Sequence, residues 1–301
     1  MVLVWLIHLG FVGWLIRQFY ESQRNAVISR YFWYGISLKL LGGIAYGLFY
    51  QGQIQGGDTW TFFENSRILA QWGTANFHQY LWAFVGGSVP EELIRVMGYE
   101  TQPRALFMAK TISAFTIITG GSYWLTGLYL SLFSFAGIWT LVKHIAVRYG
   151  GSKKAALAAF IFLPSALFWG AGVSKEALYY GGFGFLAAWF WPYFYCKNYY
   201  RWPLSALMLL VLIPLKYYYM AVFLAVLFTS IIHYRLKLGG KLQWTVLCSL
   251  LFFGVSWLHP NLNLGYVAEL MKDNAAQILA ASNHQAIIAV SYTHLTLPTN
   301  A

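Results

Sequence analysis

The feature that most constrains this chain is a succession of apolar runs, each near the length that crosses a bilayer as a helix, separated by short charged loops. The clear runs are 2–17, 31–50, 122–142, 155–173, 177–196 and 242–258. Lipid offers no hydrogen-bond partner to the backbone, so a spanning segment must satisfy its own amides, which favours helix. One run, Trp202 to His233, is too long for a single crossing and contains Ile213-Pro214-Leu215-Lys216. Proline removes a backbone donor and clashes with the preceding turn, so the run divides into 203–214 and 217–233, meeting at Lys216. The expected fold class is all-α: a polytopic transmembrane helical bundle of about eight transmembrane helices, with a large outer loop bearing membrane-surface helices.

Composition supports lipid as the natural solvent. Hydrophobic residues make up 59% of the chain and charged residues 10%, against about 25% charged in soluble domains. The aromatic content, 14 Trp, 22 Tyr and 23 Phe, suits rings that settle at the headgroup level. A net charge of +11 is read as topogenic, because basic residues gather in cytoplasmic loops; no nucleic-acid partner is expected. Cys196 and Cys248 lie in or beside apolar runs and form no metal or disulfide pattern. The run Val2 to Ile16 lacks a basic leader and is followed by Arg17, so it reads as a retained helix.

The charges alternate across the runs. With Arg17, Arg24 and Arg30 inside, Lys143, Arg148, Lys153 and Lys154 also fall inside, as do Lys197, Arg201, Arg235, Lys237 and Lys241. Eight of the nine acids fall outside, Glu21 being the exception. This accounting requires that 105–121, apolar but carrying Lys110, Thr111, Ser113, Thr116 and Thr119, be an interfacial or re-entrant piece. The alternative is a true span that reverses everything downstream. The outer loop then runs over 51–121, with helical patches at 59–72, 77–85 and 90–98. In the first, Trp60, Phe63, Ile68 and Leu69 form a loose apolar stripe expected to lie on the membrane surface. The chain reads as a single transmembrane domain over 1–290, C-terminally truncated. Residues 291–301, Ser-Tyr-Thr-His-Leu-Thr-Leu-Pro-Thr-Asn-Ala, resemble a translated sequencing adapter and are set aside as a non-native tail.

Three patches could carry chemistry. In Gly56-Gly57-Asp58-Thr59, followed by Glu64 and Arg67, the glycines permit a tight turn. Asp58 is then either a helix cap or a carboxylate held at the lipid–water boundary, fit to act as a general base or to hold a divalent metal ion. In the stretch from Pro164 to Ser174-Lys175-Glu176, the alternatives are a salt-bridged hairpin tip capped by Ser174, or a lysine at a helix start that favours phosphate. In Lys216-Tyr217-Tyr218-Tyr219, the lysine either snorkels or binds an anion, and the tyrosines form an aromatic belt or a face for a sugar or headgroup. Lys39, deep in the second run, is expected to be satisfied by an ion pair or hydrogen bond in the protein interior. The candidate site is therefore Asp58 and Glu64 as catalytic acids, Lys175, Lys216 and Arg67 on a phosphate, and Glu176, Tyr217 and Tyr218 in support, with the metal unassigned.

This layout resembles membrane glycosyltransferases of the GT-C fold class. Gly57-Asp58-Thr59 with Glu64 looks like the acid-bearing first outer loop of that class. The Pro164 to Glu176 stretch is similar to a motif of bacterial cell-envelope polysaccharide sugar transferases. The match covers roughly residues 30 to 235. Many members carry two adjacent acids in this loop, whereas here Thr59 follows Asp58. The resemblance implies a bacterial inner-membrane enzyme with a periplasmic active face. It would move a sugar from a polyprenyl-phosphate-linked donor to an envelope glycan, lipid or protein, with Asp58 as base and Lys175 and Lys216 on the phosphate. Two alternatives use the same features: an envelope polysaccharide polymerase or ligase relying on Arg67, Arg95 and Arg104, and a lipid-linked sugar flippase or transporter without chemistry.

Overall fold

The computed structural model of the chain describes residues 2–53, 57–85, 87–98, 103–196, 202–235, 240–258 and 272. The described elements are helical: α1 (Val2–Gln23), α2 (Phe32–Gln53), α3 (Gly57–Ala75), α4 (Phe77–Val85), α5 (Glu91–Val96), α6 (Pro103–Ile118), α7 (Tyr123–Arg148), α8 (Lys153–Leu157), α9 (Pro164–Trp169), α10 (Lys175–Cys196), α11 (Trp202–Arg235) and α12 (Lys241–Leu258). They fall into two compact units, Met1–Met220 and Ala221–Ala301.

The first unit is organised around α7, which packs most extensively against α10. The reason is a meeting of glycines. A Cβ on Gly137 would overlap the Gly181 carbonyl, and one on Gly184 would meet the Gly137 backbone at 2.5 Å. Without side chains at the crossing, the two backbones come into direct contact, which is how helices associate where no hydrophobic force separates protein from lipid. α2 lies against α7 as well. Ile28, Phe32 and Ile36 pack with Phe135, Ile138, Trp139, Val142 and Ala146, and this cluster continues into Ala156, Leu157 and Ile161. It gathers the end of α1, the start of α2 and the end of α7 at one end of the unit, where Lys143 Nζ also donates to Gln23 Oε1 at 2.9 Å.

Between Lys153 and Ser174 the chain is not one helix. α8 has five residues, a π-turn covers Ala158–Phe162, and Leu163 is extended before Pro164 opens the six-residue α9. Proline at the first helical position costs nothing there, since that amide has no partner in any case. The freed polar groups find partners across the bundle. Tyr180 donates to the Phe160 carbonyl at 3.0 Å, Ser134 to the Gly170 carbonyl at 2.6 Å, and Gly172 N–H to Ser131 Oγ at 2.9 Å. Lys39, buried in α2, donates to the Ala166 carbonyl at 3.0 Å and lies 4.9 Å from the centre of the Tyr180 ring. The expected interior hydrogen bond is thus made to backbone.

Among the described residues, three helical stretches are long and apolar enough to cross a membrane: Leu3–Gln23, Ser29–Gly52 and Tyr123–Arg148. The chain is therefore membrane-associated, but the bundle of about eight spans is overturned. The 155–173 run is broken at the π-turn and Pro164. α10 opens on Lys175 and Glu176 and is not among these three stretches. α11 departs from helical geometry at Lys216 (φ −149°, ψ 70°), just past Pro214, leaving apolar pieces Pro203–Lys216 and Tyr219–His233, each short of a crossing.

This correction carries the resemblance with it. Three candidate spans among the described residues are not the many-span GT-C arrangement, so membership of that class and the polytopic inner-membrane envelope enzyme it implied are not supported for this chain. The polyprenyl-phosphate sugar transferase loses its structural basis, as do the polymerase or ligase and the flippase argued from the same layout.

The segment 51–121 does hold helices at the three expected patches, in α3, α4 and α5. The bilayer-surface stripe is corrected, however. α3 packs on α6 and buries Phe62, Phe63, Asn65, Ser66, Leu69 and Ala70. The polar residues that made 105–121 look interfacial turn inward: Ser66 Oγ meets Thr116 Oγ1 at 2.8 Å and Tyr80 Oη meets Ser113 Oγ at 2.8 Å. Lys110 donates to the Ala83 carbonyl at 2.8 Å, near the end of α4. In the second unit, Thr229 donates to the Ala225 carbonyl at 2.9 Å and lies 3.4 Å from the Trp244 carbonyl. The tail at 291–301 lies outside the described residues.

The glycine crossing gives a direct test. Gly137→Ala is expected to destabilise the chain by about 1–3 kcal/mol, because the obstructing atoms are backbone and cannot move aside. Gly10→Ala, whose Cβ meets nothing within 4 Å, is expected to leave stability unchanged or slightly raised. Thermal unfolding in detergent distinguishes the two.

Candidate functional site

At the end of the first unit opposite the inner cluster, three chain segments are tied together by one threonine. Thr59, in the first turn of α3, is buried; its hydroxyl donates to the Val173 carbonyl at 2.7 Å and lies 2.8 Å from Tyr123 Oη. The Trp60 ring stacks on Tyr123, 3.9 Å between centroids and 7° from parallel. α3, the start of α7 and the turn before α10 are thereby held in register. Gly172 makes that turn possible with φ +68°, a region open mainly to glycine. Ser174 then caps α10, accepting the Ala177 amide at 2.9 Å.

This register brings Lys175 beside α3. Its ammonium sits 4.4 Å from the centre of the Phe62 ring, a cation–π contact. Asp58, Glu176, Arg104 and Lys216 all lie within electrostatic reach of it. Among the described residues, Lys175 makes no hydrogen bond or ion pair. Glu176 instead pairs with Lys216, Nζ to Oε1 at 2.7 Å. Lys216 also lies 5.4 Å from the centre of the Tyr219 ring. The expected Lys175–Glu176 hairpin-tip bridge is thus replaced by a bridge to the α11 break. The side chains of Tyr217 and Tyr218 lie outside the described residues.

Helix geometry separates the remaining candidates. Asp58 and Phe62 are four residues apart and share a face of α3, whereas Glu64, six residues on from Asp58, lies about 240° around the helix. Glu64 and Arg67 are exposed and pair with each other at 3.1 Å. Asp58 itself occupies the first turn of α3, after Gly57 (φ +43°), and is exposed. It complements the helix dipole there and makes no hydrogen bond among the described residues. The group therefore comprises Asp58, Lys175, Glu176 and Lys216, joined by Arg104. Glu64 and Arg67 are not in it. Sequence reading missed Thr59, Phe62, Tyr123 and the nearby ring cluster of Tyr46, Tyr50, Phe168 and Trp169. Tyr46 lies within electrostatic reach of Asp58 and Glu176. Nothing in the spacing of these residues marks them out.

Burial pushes the Lys175 ammonium below the usual lysine range; Asp58 and Glu176 oppose this, and Arg104 and Lys216 add to it. No group of three or more His, Cys, Asp or Glu side chains among the described residues is placed to hold a metal ion. The chemical capacity of the site is a partly desolvated cation with no ion pair among the described residues, flanked by a solvent-facing carboxylate and by aromatic rings. No protein-family model, curated protein or solved structure matches the chain.

Two outcomes follow. Thr59→Val strands the Val173 carbonyl and the Tyr123 hydroxyl and is expected to cost about 1–3 kcal/mol, measured by thermal unfolding. For Lys175 the folded state holds its proton less tightly than the unfolded chain. Between the lowered value and the ordinary lysine value the unfolded state binds more protons, so stability rises with pH across that window. Lys175→Met is expected to flatten this alkaline rise, read as unfolding midpoints between neutral pH and about pH 10.

Proposed function

We propose that the chain is a membrane protein that binds an anionic, phosphate-class headgroup, with Lys175 as its primary contact. The observation carrying this reading is that Lys175 is half-buried and desolvated, yet has no hydrogen bond or ion pair among the described residues. Holding an ammonium in that state costs stability, and an arriving anion would relieve the cost. Arg104 adds positive charge beside it, and guanidinium matches phosphate geometry. Phe62 and the stacked Trp60 and Tyr123 rings supply flat apolar surface next to the charge, as an amphiphile requires. A phosphatidic-acid-type lipid belongs to this class.

Charge also supports a sidedness. Arg17, Arg24, Arg30, Arg148, Lys153 and Lys154 belong to the opposite end of the first unit. Basic loops stay in the cytoplasm, so the Lys175 site would face the outer side.

Isothermal titration of the purified chain in detergent, with short-chain phosphatidic acid and separately with inorganic phosphate, tests the assignment. Saturable binding of the lipid alone points to an amphiphile; equal binding of both points to free phosphate. Lys175→Gln is expected to weaken binding about 10- to 100-fold, the worth of one charge-assisted hydrogen bond, while Glu64→Gln leaves it unchanged. Binding should fall as pH rises through the lowered Lys175 value, and at a lower pH in Asp58→Asn, which removes a charge that favours the ammonium. Wild-type affinity in Lys175→Gln would reject the site.

A further inference from the structure

The end of the first unit opposite Lys175 has its own surface chemistry. The cluster of Ile28, Phe32, Val142, Ala146, Ala156 and Leu157 draws the α1–α2 turn, the end of α7 and the start of α8 together. That juxtaposition collects Arg17, Arg24, Arg30, Arg148, Lys153 and Lys154 at one helix end, with Glu21 as the sole acid in these stretches. Glu21 is already engaged by Arg24 at 3.8 Å, and both are well exposed. Lys143 is held apart by its bond to Gln23.

Rings and aliphatic side chains are exposed among these charges: Trp33 at 49%, Tyr34 at 69%, Tyr149 at 46% and Val147 at 65%. Arg30 lies 4.6 Å from the centre of its neighbour's ring, Tyr31. A belt of exposed aromatic rings interleaved with arginine and lysine at the end of three apolar helices matches the chemistry of one interface. The rings suit the headgroup level, and the cations suit phosphodiesters just beyond it.

We infer that this end is a docking surface for anionic phospholipid headgroups of the cytoplasmic leaflet, selected over zwitterionic ones. The occupant follows from charge complementarity. A zwitterionic headgroup returns no net attraction to six cations, whereas an anionic one lets the basic side chains exchange small counter-ions for lipid. The contact fixes the depth of the α1–α2 turn and of the end of α7, and it fixes which leaflet that end occupies. It does not depend on the ligand assigned to Lys175.

The test uses the full chain in nanodiscs of phosphatidylcholine containing trace spin-labelled lipid. The motionally restricted fraction is measured by electron paramagnetic resonance for a phosphatidylglycerol label and for a phosphatidylcholine label. At low salt the anionic label is expected to be enriched around the protein by about fivefold, the factor that one basic residue near an anionic surface supplies. High salt should reduce the ratio toward one. The combined variant R24Q, R30Q, R148Q and K154Q should do the same at low salt. The salt titration on the wild-type chain keeps the test valid if that variant fails to fold. Equal restriction of both labels at low salt overturns the inference, as does enrichment that survives the four substitutions in a folded protein. If K175Q alone abolishes the enrichment, the lipid sits at the opposite end and this surface is not its seat.

Discussion

The contact on which the rest of the first unit depends is the backbone-to-backbone crossing of α7 and α10 at Gly137, Gly181 and Gly184. Because neither helix has a Cβ there, their axes approach as closely as main chains allow. That closeness brings Ser131 and Ser134 of α7 against the Gly170–Gly172 turn, where they bond its free amide and carbonyl. The turn sets where α10 starts, and α10 starts with Lys175. A wider crossing would leave two buried backbone groups without partners and would release the residue proposed to meet the ligand. Packing and function are linked here through three hydrogen atoms in place of side chains.

The broken stretch between α8 and α10 shows the same economy. An unbroken helix from Lys153 would have presented a continuous apolar surface and no free carbonyls. The π-turn and Pro164 instead turn the Phe160 carbonyl toward the bundle interior, as they do the Ala166 carbonyl, which also accepts the Gly170 amide. Tyr180 and Lys39 take them up. A lysine deep in an apolar helix is expensive, and its hydrogen bond to the Ala166 carbonyl, which also accepts the Gly170 amide, offsets part of that cost. Interruption of the helix and burial of the charge are therefore one feature seen from two elements.

Much of the local structure was legible in the sequence. Apolar run length identified α1, α2 and α7, proline chemistry located the break at Lys216, and the capping pattern identified Ser174. Counting runs failed where length alone stood in for a crossing. The 155–173 run hides a π-turn, which leaves no compositional trace. The α3–α6 pair misled for a related reason. Its threonines and serines satisfy one another across the interface, so polarity that reads as exposure in one dimension is interior in three. At the site, Asp58, Lys175, Glu176 and Lys216 were singled out because charge at an apolar boundary is conspicuous. Glu64 and Arg67, grouped with them by proximity in sequence, pair with each other around the helix from position 58.

Two lysines of the first unit, Lys39 and Lys175, show how burial and satisfaction differ. Lys39 is buried to 4% exposure, but a backbone carbonyl and a tyrosine ring face it. Lys175 is less buried, with the Phe62 ring 4.4 Å from its ammonium, and the adjacent glutamate is bonded to Lys216. Burial alone would rank Lys39 as the more unusual residue. Satisfaction reverses the order. A charge whose partners are built into the fold is accounted for by the fold. One whose obvious partner, Glu176, is drawn away by Lys216 sits at an energetic cost that packing does not return. That diversion leaves the Lys175 ammonium beside Asp58 and Arg104 without a bridge to Glu176, and it goes with the departure of Lys216 from helical geometry just past Pro214.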